Sequence, residues 1–175
     1  MPRYDRPSTD EYAPYYHGYV AGLPEGTVLD ILERQREEAS AMFAAVAPDR
    51  WQFRYAPGKW SVAEVLGHLC DTERIMSYRA LRFARGDTTP VPGFEQDDYV
   101  PPGRFDERDK DGLIAEYEAI RRATIALFTH LPDDAPLRRG PANGVEVSVR
   151  ALIHIIAGHE RHHQGILREK YGLGG

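Results

Sequence analysis

A chain with a single cysteine cannot cross-link itself. Cys70 stands alone among 175 residues, so no internal disulfide can form and no site can be built from several thiolates; a metal here would be held by nitrogen and oxygen. Long apolar runs are missing too, none approaching the roughly 18 residues that would suggest a membrane span. The opening MPRYDRPSTDEY lacks the charged-then-apolar form of a secretory signal, and a cytoplasmic location is expected. Basic excess is also absent. The formal net charge of −5 does not supply the positive footprint that a phosphate backbone demands. Nucleic acid and membranes are not expected partners.

What is present suits one soluble domain spanning residues 1–175, with 42% hydrophobic and 28% charged residues and enough length for its own core. Helical spacing of Val28, Ile31, Leu32, Gln35, Ala39, Met42, Phe43 and Val46 predicts a first helix over about 27–46. Ser61 and Glu64 form a capping box that starts a second, 62–85, with Val65, Leu69, Met76 and Phe83 apolar and Gly86 closing it. Leu113, Tyr117, Ile120, Thr124, Leu127 and Leu131 predict a third over 110–131, stopped by Pro132. The fourth runs over 149–171 between Ser148 and Gly172 as caps. Four comparable amphipathic helices make an all-α four-helix bundle.

Three segments lie outside those helices. The N-terminal stretch 1–24 carries Tyr12, Tyr15, Tyr16 and Tyr19, whose aromatic area predicts packing along the bundle. The connection 87–108 exceeds the roughly 12 to 15 residues usual for a structureless link, and such loops often serve as lids or binding loops. Asn143-Gly144 between two short β-prone runs predicts a small hairpin between the third and fourth helices.

The chemistry concentrates in His159-Glu160-Arg161-His162-His163. The stripe Leu152, Ile156, His159, His163, Ile166 advances by three or four residues, placing two imidazoles where core residues are expected. From His159, His163 lies about 40° around the helix axis, His162 about 60° the other way and His154 about 140° off. On the second helix His68 shares a face with Val65, Thr72 and Ile75 and can also point inward. Three imidazoles from two helices would offer a divalent ion its ligands with a position left open, the catalytic rather than the structural pattern for zinc. The plainer alternative is that these are ordinary histidines, hydrogen-bonded or at the surface. Spacing alone does not say that the second and fourth helices are neighbours.

Several stretches together carry a resemblance. Tyr55-Ala56-Pro57-Gly58-Lys59-Trp60-Ser61, Val65-Leu66-Gly67-His68-Leu69-Cys70-Asp71 and Ile156-Ala157-Gly158-His159-Glu160-Arg161-His162-His163, in that order, resemble the DinB-like (YfiT-like) superfamily of metalloenzymes across nearly the whole chain. The resemblance implies a four-helix bundle with an unusual connection order. It also implies a divalent metal, nickel or zinc, on three histidines, which match here to His68, His159 and His163. Homodimers are common in that superfamily, and a homodimer is expected. Some members resemble this chain while using low-molecular-weight thiols such as bacillithiol or mycothiol in S-transfer or isomerisation; others are metal-dependent hydrolases. A small-molecule substrate, with a thiol as a conceivable co-substrate, follows from the resemblance. The rival readings are a non-catalytic metal-binding or stress-response protein, and a metal-free structural bundle.

Asp71 and Glu160 adjoin the histidines and could act as outer-shell acceptors or bases, although such carboxylates more often stay solvated. Arg74, Arg79, Arg82 and Arg85 are expected on a solvated face or paired with Asp71 and Glu73. Cys70, about 200° from His68, is expected to pack rather than ligate. Trp60 is expected to anchor the start of the second helix, with packing in a pocket as the alternative. Phe94, Tyr99, Glu95, Asp97 and Asp98 are candidates for a pocket mouth, the alternative being that they shape an ordered loop.

Overall fold

The computed structural model describes residues 4–174. Four long helices carry the architecture: α2 (Val28–Ala44), α3 (Val62–Ala84), α5 (Lys110–Thr129) and α6 (Val149–Tyr171). Two shorter ones accompany them, α1 (His17–Ala21) and α4 (Gln96–Gly103), together with a hairpin of β1 (Arg139–Ala142) and β2 (Val145–Ser148). The caps fall where the residues demand. Ser61 accepts from the Glu64 amide at 3.1 Å while the Ser61 amide donates to the Glu64 carboxylate at 2.8 Å, and Ser148 accepts from the Ala151 amide at 3.0 Å. Each removes an orphan donor from a helix start. Asn143 and Gly144 turn the hairpin with φ of 52° and 75°, the paired left-handed geometry that a two-residue loop requires.

The connection order is not that of a simple up-down bundle. Helix α3 packs on α5 and α6, and α2 packs on the same two. Consecutive bundle helices α2 and α3 therefore sit on one diagonal, and α5 and α6 on the other. That arrangement makes α3 and α6 direct neighbours, although 64 residues separate Ala84 from Val149.

Two apolar clusters fill the interior. One gathers Leu32, Phe83, Phe128 and Ile153, the other Phe43, Leu66, Leu113 and Leu167. Between them every bundle helix contributes buried polar residues: Gln35 from α2; His68, Thr72 and Glu73 from α3; Arg121 and Thr124 from α5; His159, Glu160, His163 and Gln164 from α6. A polar layer of this kind is costly unless its members satisfy one another. Arg121 does most of this work, donating to Glu73 at 2.9 and 2.8 Å, to the Leu32 carbonyl at 3.1 Å and to Glu160.

The segments outside the four helices cover this layer. In the N-terminal stretch Tyr4, Tyr12, Val20 and Leu23 are buried, whereas Tyr15 is 72% exposed, contrary to the packing expected of all four tyrosines. Glu11 ties the stretch to the start of α6 by accepting from Ser148 at 2.7 Å and from Arg150. The connection 87–108 is not a structureless loop but contains α4. Val100 and Phe105 bury their side chains against α3; a Cβ on Gly67 would lie 2.3 Å from the Phe105 ring, so glycine there lets the aromatic seat itself. Val91 pairs with Ala142, fastening the same connection to the hairpin.

Candidate metal centre

His68 stands two turns into α3, and His159 and His163 stand one turn apart on α6. Because α3 and α6 pack directly, all three imidazoles meet in the polar layer, each no more than 9% exposed. The Nε2 atoms of His68 and His159 are 2.9 Å apart, and one ring nitrogen from each of the three lies within 4.8 Å of the others. Ring centroids are separated by 4.9, 4.8 and 4.6 Å with interplanar angles of 69°, 66° and 69°. The three rings thus stand around one point with near three-fold regularity.

Burial sets their protonation. It lowers His68 to about 4 and, with the neighbouring His68 and His162 adding to it, lowers His163 to about 3. His159 is held well below the ordinary imidazole value by burial and by the other histidines. All three are neutral at pH 7, the ligating form. Thr72 Oγ1 lies 3.4 Å from His68 Nδ1, which leaves Nε2 facing the cluster. The donor set fits a divalent ion. Its 2.9 Å nitrogen separation is near the roughly 3.3 Å expected between two tetrahedral ligands at ~2.0–2.1 Å from one zinc. His163 has no protein hydrogen bond among the described residues, so a plain hydrogen-bonded reading satisfies two of the rings and not the third.

Support comes from Glu160, which is 1% exposed and not the solvated carboxylate expected. It accepts from the Tyr117 hydroxyl at 2.9 Å, from Gln164 at 2.8 Å and from Arg121, clamping the turn of α6 that carries both histidines. Asp71 is half-buried and 3.9 Å from Arg74. Glu73 pairs with Arg121 rather than with an arginine of its own helix. Arg79, expected on a solvated face, is 4% exposed. Arg82 pairs with Asp87. Cys70 is buried among apolar side chains, where burial pushes its thiol up, and among the described residues it belongs to no ligand cluster.

Aromatic rings wall the centre. Trp60 lies 4.7 Å from the His68 ring and stacks 6.4 Å from His163, its carbonyl held by the Tyr171 hydroxyl at 2.6 Å. Tyr19 lies 5.8 Å from His159 and 5.2 Å from the exposed His162. A Cβ on Gly158 would stand 2.4 Å from the Tyr19 carbonyl oxygen, so this glycine lets α1 lie flat on α6 beside His159. A cavity of about 380 Å³ reaches the centre through His159, between Tyr16, Tyr19, Met76, Phe94 and Ile155. Glu95 and Asp97 sit at its exposed rim, while Tyr99 packs edge-on against Phe94 at 5.3 Å.

The roles of Arg121, Arg79 and Tyr19 were not foreseen from the sequence. For two of them a signal existed. Leu113, Tyr117, Arg121, Thr124 and Phe128 are the buried positions of α5, and Arg79 falls in phase between Met76 and Phe83 on α3.

Fold and site together define a helical-bundle protein with a buried three-histidine cluster. The chain belongs to the DinB superfamily, whose family profile matches residues 31–167. Among solved structures it is similar to YfiT from Bacillus subtilis, described as a probable metal-dependent hydrolase with an unusual four-helix bundle topology. That match has a TM-score of 0.73 and 17% identity, covering 83% of this chain and 86% of the other. It is similar also to a mycothiol-dependent maleylpyruvate isomerase, with a TM-score of 0.66 and 14% identity over 82% of this chain and 60% of that one. A third is the DinB-like protein YjoA from Bacillus subtilis, with a TM-score of 0.59 and 19% identity over 81% and 87% of the two chains. No curated protein sequence matches the chain. Among the described residues no helix is long and apolar enough to cross a membrane.

Proposed function

We propose that this protein is a metal-dependent enzyme that activates a small nucleophile, water or a low-molecular-weight thiol, against a small-molecule substrate. His68, His159 and His163 would hold the divalent ion, nickel or zinc. The observation that carries the reading is the convergence of three neutral, buried imidazoles at one end of an open cavity. When bound, a divalent ion supplies Lewis-acid chemistry, making the anion of water or of a thiol available near neutral pH.

The chain's own residues do the rest. Thr72 orients His68 by its Nδ1 side, and the clamp of Glu160 by Arg121 and Tyr117 holds the spacing of His159 and His163. Trp60 and Tyr19 keep bulk water from two sides, so the cavity beside His159 is the route by which a substrate arrives. Cys70 faces away, which leaves the nucleophile to be brought in rather than supplied by a thiol of the chain.

Hydrolysis is the first reading, supported by the likeness to YfiT. Thiol-dependent transfer is the second, supported by the likeness to the mycothiol-dependent isomerase. A binding screen with bacillithiol, mycothiol and glutathione on metal-loaded protein separates them: saturable binding of one thiol selects transfer, and binding of none selects hydrolysis. Loss of turnover in His159→Ala with the fold intact is expected of either, and unchanged turnover would overturn both.

A further inference from the structure

Arg79 is a buried cation without a carboxylate. Elsewhere in the interior, arginines meet acids: Arg121 meets Glu73 and Glu160, and Arg150 meets Glu11. Arg79 meets none among the described residues. One Nη donates to the Pro92 carbonyl at 2.9 Å, the other lies 3.6 Å from Met76 Sδ, and Tyr16 and Phe94 face it. Its Nε is buried with no hydrogen-bond partner among the described residues. A guanidinium remains charged in any protein environment, and a buried charge left partly unsatisfied is expensive to keep.

The place it occupies gives that expense a use. Arg79 lines a small chamber of about 50 Å³, more than the roughly 10–15 Å³ that one ordered water needs. Tyr16, Met76, Asn143 and Ile155 line both this chamber and the large cavity that ends at His159. Along α3, Arg79 is eleven residues from His68, hence about 16 Å along the axis and about 20° around it, with its side chain leaning back toward the histidines. The two spaces therefore adjoin: Arg79 lines the smaller, His159 lines the larger, and Tyr16, Met76 and Ile155 lie on both.

We propose that Arg79 is a carboxylate-binding subsite, and that the cavity takes an elongated small molecule whose carboxylate sits on Arg79 while its other end reaches His159. This deepens the function proposed above and rests on it for the reacting end only. Glu95 and Asp97 do not oppose it, because both are exposed at the rim and screened by water, whereas the arginine lies inside. A guanidinium fork with a free Nε–H is matched to the two oxygens of a carboxylate.

The test is the binding of 6-phenylhexanoate and of its neutral amide, 6-phenylhexanamide, by calorimetry on metal-loaded and on chelator-stripped protein. The acid should bind at least about tenfold more tightly than the amide, and the preference should survive stripping. In R79M it should collapse to within about twofold with the amide's affinity unchanged, and R79K, which keeps the charge but loses the fork, should fall between. A preference that vanishes on stripping would put the carboxylate on the metal and overturn the proposal while leaving the metal site standing. Equal binding of acid and amide, or no saturable binding of the acid by about 1 mM, would also overturn it. Because the stripping arm uses the unaltered chain, the outcome does not depend on R79M folding.

Discussion

The Nε2 atoms of His68 and His159 stand 2.9 Å apart although 91 residues separate them in the chain. Nothing local brings them together. The contact exists because α2 and α3 occupy one diagonal of the bundle, which leaves α3 beside α6, and because each bundle helix places polar residues at the same level between two apolar clusters. The same layer explains how buried imidazoles are tolerated: the acids and the arginine beneath them satisfy one another, and the rings are left to face a common point.

The clamp under the histidines is open to direct removal. Arg121→Met leaves Glu73 and Glu160 buried without their cation, and should destabilise the fold by about 3–5 kcal/mol, the cost of breaking a buried charge network from one side. Urea unfolding followed by circular dichroism reads it. A loss below about 1 kcal/mol would mean the network is not closed as described.

Gly158→Val should displace α1 without unfolding α6. A side chain there has no room beside the Tyr19 carbonyl, and overpacking of this kind costs about 1–3 kcal/mol. Hydrogen exchange should show lost protection for His17–Ala21 and retained protection in the middle of α6. Equal protection of both segments in variant and parent would contradict the packing.

Acid should loosen the N-terminal segment. Burial alone would raise the Glu11 carboxyl, but hydrogen bonds from Arg150, Ser148 and Ser8 outweigh it and hold the group at about 2 against an ordinary 4.5. A depressed carboxyl binds fewer protons folded than unfolded, so its contribution is whole above about pH 4.5 and is lost as pH falls toward 2. Glu11→Gln should cost about 1–3 kcal/mol at pH 7 and flatten that acid limb. Stability that varies with pH between 2 and 4.5 as steeply in the variant as in the parent would sink the assignment.

Much of the fold was legible because four helices carry strong local signals. The predicted spans 27–46, 62–85, 110–131 and 149–171 differ from the observed helices by at most two residues at any end, and the Asn143-Gly144 hairpin follows from turn chemistry. Helix α4 was not legible. Pro101 and Pro102 fall within its eight residues and only Val100 is buried, so its support is tertiary docking on α3 rather than its own periodicity. The inward placement of His159 and His163 follows from helical spacing, whereas the adjacency of His68 needs the connection order. Glu160 and Arg79 lie inside although charge in a sequence points to exposure. Their true positions depend on what a neighbouring element supplies, Arg121 for the first and the cavity for the second.

Removal of single ligands tests the central claim most directly: elemental analysis of tag-free protein after reconstitution with nickel or zinc, in the parent chain and in His68→Ala, His159→Ala, His163→Ala and His162→Ala. One ion per chain is predicted for the parent and for His162→Ala, with binding weakened by at least about 100-fold in the other three. A parent chain that holds less than one ion per chain, or a His68→Ala variant that binds as tightly as the parent, would contradict the account.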